Sequence, residues 1–491
     1  MKDGSLLACI DLGSNSFRLE IGRLDHNQII RTEYLKETVR LGNGLDGDLN
    51  LTEEAQNIGF DCLARFAERL QSFSPSSVRV VATQTLREAR NRKAFIERAQ
   101  EILGFNVEVI SGREEARLIY SGVSHFLPQT YDKRLVIDIG GRSTEIITGK
   151  GHKPNIADSF KVGSVDLSMQ YFSQKQWTAK TFDKARIAAI AILEEALSFV
   201  KPGYWNVAYG SAGTIWALLD IVQAKFPKQK GLKPAHLSWL EEMLCKGHIE
   251  TLKVPGLKDD RRPIIGGGLV IVQALFELFG LERLYGVRGS LRHGVLYDML
   301  SRESKETDTR RMTMRRLQKR YGVDLEQARR VHVAAKVFLK LLLRKVDLEQ
   351  AMVISWASEL HEIGMSISHA NYHRHGAYIL KHADAPGFSD QELNLLSILV
   401  LSQRGGLKKV RNNLSNQKIM AQVLALRLAV IFCHARCSPL WNGISASNAF
   451  GGYAITLSQE WVSEYPQTLF LLEEESRNWE KIKRRLTITV E

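Results

Sequence analysis

Short aliphatic runs separated by turn residues fill the chain from residue 6 to 41, in LLACIDL, SFRLEIGRL and IIRTEYL, and predict three strands. From Thr52 to Gln71 the period lengthens: Ile58, Leu63, Phe66 and Leu70 recur at helical spacing and predict a helix with those four on its inner face. A strand in VRVVAT, from Val78, precedes another amphipathic stretch near Arg90 to Leu103. Such β-then-α alternation predicts a mixed α/β domain.

The pattern then repeats. DLGSNSFRLEIG, starting at Asp11, returns as DIGGRSTEIITG, starting at Asp138, with Asp, Gly, Ser and the closing Gly in register. Each copy sets an aspartate at the end of an apolar strand, then a small-residue turn and a second strand, so two homologous α/β domains each open on a β-hairpin. Beyond about Ser301 strand signals thin out and long basic amphipathic helices take over, beginning with RRMTMRRLQKR at Arg310. YAITLS, from Tyr453, and RLTITVE, from Arg485, predict a small C-terminal sheet.

At 491 residues the chain exceeds what one hydrophobic core supports. Its 44% hydrophobic and 25% charged residues exclude disordered and fibrous classes. A net charge of +13 favours an anionic partner: nucleic acid, an acidic membrane or a polyanionic substrate. Five scattered cysteines without a CxxC pair fit a reducing cytosol, and Cys433, His434 and Cys437 lack the second ligand pair of a zinc finger. No signal-like segment and no run of roughly 20 apolar residues is present, which predicts a cytoplasmic protein without a transmembrane segment, at most peripheral to a membrane.

The candidate chemistry lies in the turns. Gly, Ser and Asn let backbone amides approach an anion and add side-chain donors, so Gly13, Ser14, Asn15 and Ser16 form a first candidate phosphate loop. Gly140, Gly141, Arg142, Ser143 and Thr144 form a second. A third turn, with Gly210, Ser211 and Gly213, follows a strand and opens a helix whose N-terminus favours negative charge. Asp11 and Asp138, with Glu145, are placed to hold magnesium, although an Asp before a turn also serves as a plain cap. Glu114 and Glu115 open a helix between the repeats, where one can align water or both can offset the helix dipole.

Together these residues resemble the exopolyphosphatase and guanosine pentaphosphate phosphohydrolase (Ppx/GppA) family of the actin-like ATPase superfamily. The motifs are AxDLGSNSF at Ala8 to Phe17, ATQTLREARN at Ala82, ISGREEARLIYSGV at Ile110, VIDIGGRSTE at Val136, YGSAGT at Tyr209 and GSLRHGVLYDML at Gly289. The resemblance implies two ribonuclease H-like α/β domains, at 1–128 and 129–304. A mostly helical HD-like domain at 305–440 and a small α+β segment at 441–491 follow. It makes Glu115 the catalytic base, Arg87 a phosphate contact, and Asp138 and Glu145 magnesium-associated acids, with Mn2+ as an alternative metal. Two positions depart from the pattern: Arg142 stands where the loop has a small residue, adding a phosphate contact or obstructing the cleft, and His293 replaces the acid of a GALREG-like motif.

In the HD-like region the expected His-Asp pair is His361 and Glu362, and the later acid is Val430, so that site is read as a metal-free relic. Arg310, Arg311, Arg315, Arg316, Lys319 and Arg320, with Arg404, Lys408, Lys409 and Arg411, are candidates for a positive wall beside the cleft or for solvated helix faces. The reading is an exopolyphosphatase acting on inorganic polyphosphate. Its alternatives are a pppGpp phosphohydrolase yielding ppGpp and a non-catalytic polyphosphate or nucleotide sensor. Specific nucleic-acid recognition is not expected, and the resemblance implies a homodimer.

Overall fold

The computed structural model describes residues 1–128, 132–174, 177–302, 304, 307–343, 345–449 and 452–491. The domain boundaries expected at 129 and 305 fall outside them. The chain divides into two compact units, Met1–Asp308 and Thr309–Glu491.

The first unit is built on two five-stranded sheets. One comprises β1 (Leu6–Leu12), β2 (Phe17–Asp25), β3 (Gln28–Glu37), β4 (Val78–Ala82) and β5 (Val107–Val109), in the order β3-β2-β1-β4-β5. The other comprises β6 (Lys133–Ile139), β7 (Thr144–Lys150), β8 (Lys153–Phe160), β9 (Val207–Ser211) and β10 (Leu284–Gly286), in the order β8-β7-β6-β9-β10. Counted within each sheet both orders are 3-2-1-4-5, with the first three strands antiparallel and the last two parallel. The sequence repeat is therefore a repeat of topology, and the unit is a pair of ribonuclease H-like α/β lobes.

Helix Glu53–Arg69 starts at Thr52, whose side chain accepts from the Ala55 amide. It buries Ala55, Gly59, Cys62, Leu63 and Phe66, with Leu70 just beyond its end. Ile58, expected on that inner face, is instead 44% exposed, because the buried stripe runs through the small residues Ala55, Gly59 and Cys62. The helical stretch Asp259–Phe279 is long and apolar enough to cross a membrane, and 72% of its apolar window is buried inside the second lobe.

Two helices join the lobes, Gly112–Ser124 and Leu291–Ser301, and they cross almost backbone to backbone. A Cβ on Gly294 would lie 1.8 Å from the Leu118 carbonyl oxygen, and one on Gly122 would lie 2.2 Å from that of Ser290. Their apolar faces, including Ile119, Val123, Val295 and Leu296, share one core with Cys9 and Val81 of the first sheet and Val136 and Ile147 of the second. The position of either helix is thus fixed against both lobes.

The second unit is mostly helical and ends in a three-stranded sheet of β11 (Ile444–Ala449), β12 (Gly452–Leu457) and β13 (Arg485–Val490). β12 and β13 match the expected strands, and β11 adds a strand that the polar run ISASNA does not announce. Ile455, Leu457, Trp479 and Leu486 pack into the same core as the helical residues Phe338, Leu399 and Leu424.

Candidate active site

Each lobe contributes a strand end and a tight hairpin. In the first, Asp11 of β1 pairs with Arg18 of β2, and in the second, Asp138 of β6 pairs with Glu145 of β7. Cross-strand partners on one face lie about 5 Å apart, so the two copies differ electrostatically. Asp11 is neutralised by Arg18 (3.3 Å) and by Arg292 (3.4 Å), both on Oδ2. Asp138 instead faces a second carboxylate.

The hairpin turns hold their small residues for steric reasons. A Cβ on Gly13 would stand 3.0 Å from the Ser16 carbonyl oxygen, and one on Gly141 would stand 3.4 Å from Ser14 Cβ in the opposing loop. The first and second loops therefore face each other closely. Gly163 lets the helix Ser164–Tyr171 rest on the second loop, since a Cβ there would fall 2.2 Å from Gly141 backbone atoms. The third turn opens helix Ala212–Lys225, with Ala212 at a φ of 64°.

Between these elements lies a cleft of about 310 Å3. Asp11, Gly13, Ser14, Asn15 and Ser16 line it from the first lobe, and Asp138, Gly140, Gly141, Ser143, Glu145 and Gly213 from the second. Glu115 lines it from the joining helix, whose N-cap Ser111 accepts from the Glu114 amide. The adjacent glutamates separate by role: Glu114 turns away to bind Arg117 at 2.7 Å, and Glu115 faces the cleft while bonded by Arg87 at 2.7 Å.

Burial pushes the Glu115 carboxyl above its ordinary value against the pull of Arg87, and the charges of Asp11 and Asp138 add to the rise. Burial likewise raises Asp138, opposed by the Ser211 hydroxyl that bonds its Oδ2. Glu145 is pushed up furthest, by burial and then by Glu115 and Asp138, despite the Ser159 hydroxyl at 2.8 Å. Four carboxylates, those of Asp11, Glu115, Asp138 and Glu145, thus share one cleft in which burial weakens the screening of their charges.

Several expected phosphate contacts do not line the cleft. Arg87 directs Nη1 to Glu115 and the Ile110 carbonyl, and Nε and Nη2 to Gln84, so its guanidinium holds the helix that carries Glu115. Arg142 bonds the Gly42 carbonyl (3.2 Å), Glu88 (3.2 Å) and Asp166 (2.9 Å), tying the second loop to the first lobe without obstructing the cleft. Thr144 donates to the Val162 carbonyl, Ser211 holds Asp138, and Gly210 is packed against Ile215 and Leu284.

Sequence reading missed the cations. Arg18, Lys36, Arg261, Arg288 and Arg292 all line the cleft, with Tyr34 and Trp216. Comparing the repeats column by column would have found Arg18, which occupies the place of Glu145, and Arg292 lies inside the SLRHG motif. Lys36, Arg261 and Arg288 carry no local signal. His293 sits behind the cleft between Ser290 (2.9 Å) and Glu20 (3.0 Å).

Arg310 of the supposed positive wall is largely buried, stacked 5.0 Å from the Trp356 ring centre and paired with Glu392. Of the HD-like set, Glu362 is held by both Arg436 Nη atoms (2.9 and 2.8 Å), and His361 and Val430 line the same cavity.

Comparison with known proteins places this architecture. The sequence matches the Ppx/GppA phosphatase family over residues 24–303, and domain III of Ppx/GppA phosphatase over 309–476. The fold is similar to that of an exopolyphosphatase from Cytophaga hutchinsonii, at 24% identity and a TM-score of 0.54 over 60% of this chain and 98% of that one. A Ppx/GppA family member from Aquifex aeolicus gives 26% identity and a TM-score of 0.52 over 61% and 98% of the two chains. A structure of the Aquifex aeolicus PPX-GPPA enzyme gives 27%, 0.51, 60% and 98%.

Proposed function

The chain belongs to the Ppx/GppA phosphatase family and is a phosphoanhydride hydrolase, and from that premise we propose that it is an exopolyphosphatase releasing orthophosphate from the end of inorganic polyphosphate. The observation that carries this reading is Glu115, buried in the cleft between two donor-rich loops and oriented by Arg87 at 2.7 Å.

Glu115 accepts a proton from a water aligned with the terminal phosphorus. The water oxygen bonds to phosphorus, the bond to the bridging oxygen breaks, and the shortened chain leaves with its electron pair. The raised proton affinity of Glu115 brings it closer to working pH, where a general base is most effective. Amides of the Gly13–Ser16 and Gly140–Ser143 turns, with Arg18 and Arg292, face the developing negative charge.

The oxygen donors fit Mg2+ or Mn2+. Asp11 Oδ1 is buried and unpartnered, and Asp11, Asp138 and Glu145 offer hard ligands on one cleft. Among the described residues no three such side chains form a ready-made cage, which suits Mg2+, since it keeps waters and binds phosphate oxygens. Bound there, such an ion would neutralise phosphate charge as a Lewis acid.

Glu115→Gln is expected to lower turnover by a factor of about 10²–10⁴ while polyphosphate binding persists; near-normal phosphate release from the variant would remove Glu115 from the base role. Tyr34 and Trp216 in the cleft lining favour a second reading, hydrolysis of pppGpp to ppGpp, because aromatic faces suit a nucleobase. Specificity constants on long-chain polyphosphate and on pppGpp, measured side by side, decide between them. The sensor reading loses its support from Arg142, which stands clear of the cleft. The unpaired cysteines support a reducing, cytoplasmic setting, and the homodimer is a proposal for light scattering to test.

A further inference from the structure

A second cavity, of about 370 Å3, lies within the Thr309–Glu491 unit. Each carboxylate lining it has an arginine: Glu362 has Arg436, Glu475 has Arg427, and Glu474 has Arg477 at 2.5 Å. Arg404 also lines the cavity and has no carboxylate partner among the described residues; its guanidinium lies over the Tyr372 ring, 5.2 Å from the centre. Lys409 is beside it, donating to the Arg404 carbonyl at 2.7 Å. Its ammonium lies 3.7 Å from where a Cβ would stand on Gly405, another lining residue. Neither Lys409 nor nearby Arg374 has a carboxylate partner among the described residues. Burial, then the charges of Arg427, Arg374 and Arg404, push the Lys409 ammonium down to about 8. The cations are therefore crowded and uncompensated, an arrangement that an anion relieves.

An independent feature points the same way. Gln403 is only 2% exposed and lines the cavity. Both its amide hydrogens are spent, on the carbonyls of His361 (2.5 Å) and Val400 (3.1 Å), and its Oε1 is buried without a partner. A buried acceptor in this state calls for a donor from a ligand. The Arg404 N–H groups left over from its bond to the Tyr372 hydroxyl, the Lys409 ammonium and the unpaired Gln403 acceptor line or flank one cavity and match a phosphate group, whose oxygens take the hydrogens and whose P–OH, or a donor on an attached group, serves the acceptor.

We propose that this cavity is a binding site for a small phosphate, either orthophosphate or a phosphate of a nucleoside phosphate, separate from the hydrolytic cleft. The test is hydrogen exchange of the full-length protein with inorganic phosphate, with ADP and with long-chain polyphosphate. Phosphate or ADP is expected to slow exchange at residues 372–374 and 403–411, and protection by ADP alone would identify the nucleoside source. Arg404→Ala, at an exposed position, is expected to raise the concentration needed by ~10-fold or more without changing hydrolysis of tripolyphosphate, which is too short to leave the cleft, and Lys409→Met should act in the same direction. No slowing with either small ligand, slowing only with the long chain, or slowing indifferent to both substitutions would overturn the proposal. Exchange at residues 11–18 and 138–145 reports the cleft independently, so failure of one site is not mistaken for failure of the other.

Discussion

Glu20 has no counterpart in the second repeat, where Ile147 takes its place, and its partners explain why it is there. It receives Arg292 Nε at 3.0 Å and His293 Nε2 at 3.0 Å, and Arg292 in turn reaches Asp11. A carboxylate beside the SLRHG motif is thus supplied by Glu20 from the facing strand, and His293 is one of its two partners. Burial works against the Glu20 charge, but His293 and Arg292 outweigh it and bring the carboxyl down from 4.5 to about 2. A carboxyl lower in the folded than in the unfolded state contributes stability above its unfolded value and loses it as pH falls toward its folded one. Glu20 should therefore contribute about 3 kcal/mol at neutral pH, lost between about pH 4.5 and pH 2. Denaturant midpoints measured across that window should fall more steeply for the wild type than for Glu20→Gln, which starts lower; parallel curves would show that the charge contributes nothing.

The crossing of helices Gly112–Ser124 and Leu291–Ser301 sets where Glu115 and Arg292 meet the cleft. Gly294 touches the Leu118 carbonyl region so closely that a methyl group would force the helices apart. Gly294→Ala is expected to cost about 1–3 kcal/mol by overpacking and to lower turnover as the helix carrying Glu115 shifts. Thermal melting and phosphate release would register both, and an unaltered melting temperature with full activity would contradict this view of the crossing. The two hairpins were legible because Asp, turn and closing Gly lie within twelve residues, so local spacing carries the signal. The ion pairs of Arg87 and Arg142 were not legible because their partners, Glu115, Glu88 and Asp166, lie on other elements. Lys36, Arg261 and Arg288 converge only through tertiary folding, and no local period marks such a set. Ile58 is exposed because the first turns of its helix bury the small residues Ala55, Gly59 and Cys62, which an aliphatic period does not mark, before Leu63 and Phe66 continue the stripe.

Charge is distributed unevenly between the two units. Of the net +13, the Thr309–Glu491 unit carries +10, from 26 Lys and Arg against 16 Asp and Glu, and the Met1–Asp308 unit, with 41 against 38, carries +3. The hydrolytic cleft holds only a few phosphate groups within its 310 Å3, so a short substrate meets chiefly the local charges that line it. A long polyanion extends beyond the cleft and experiences the field of the whole protein. Such interactions release counterions and weaken linearly in log affinity with log salt, with a slope set by the number of charges engaged. The KM for long-chain polyphosphate should therefore rise more steeply with KCl than the KM for tripolyphosphate, and kcat for the two should change far less. Equal slopes would mean that the excess charge of the helical unit takes no part in holding substrate, and would leave its cations to roles of their own, such as the small-phosphate cavity around Arg404.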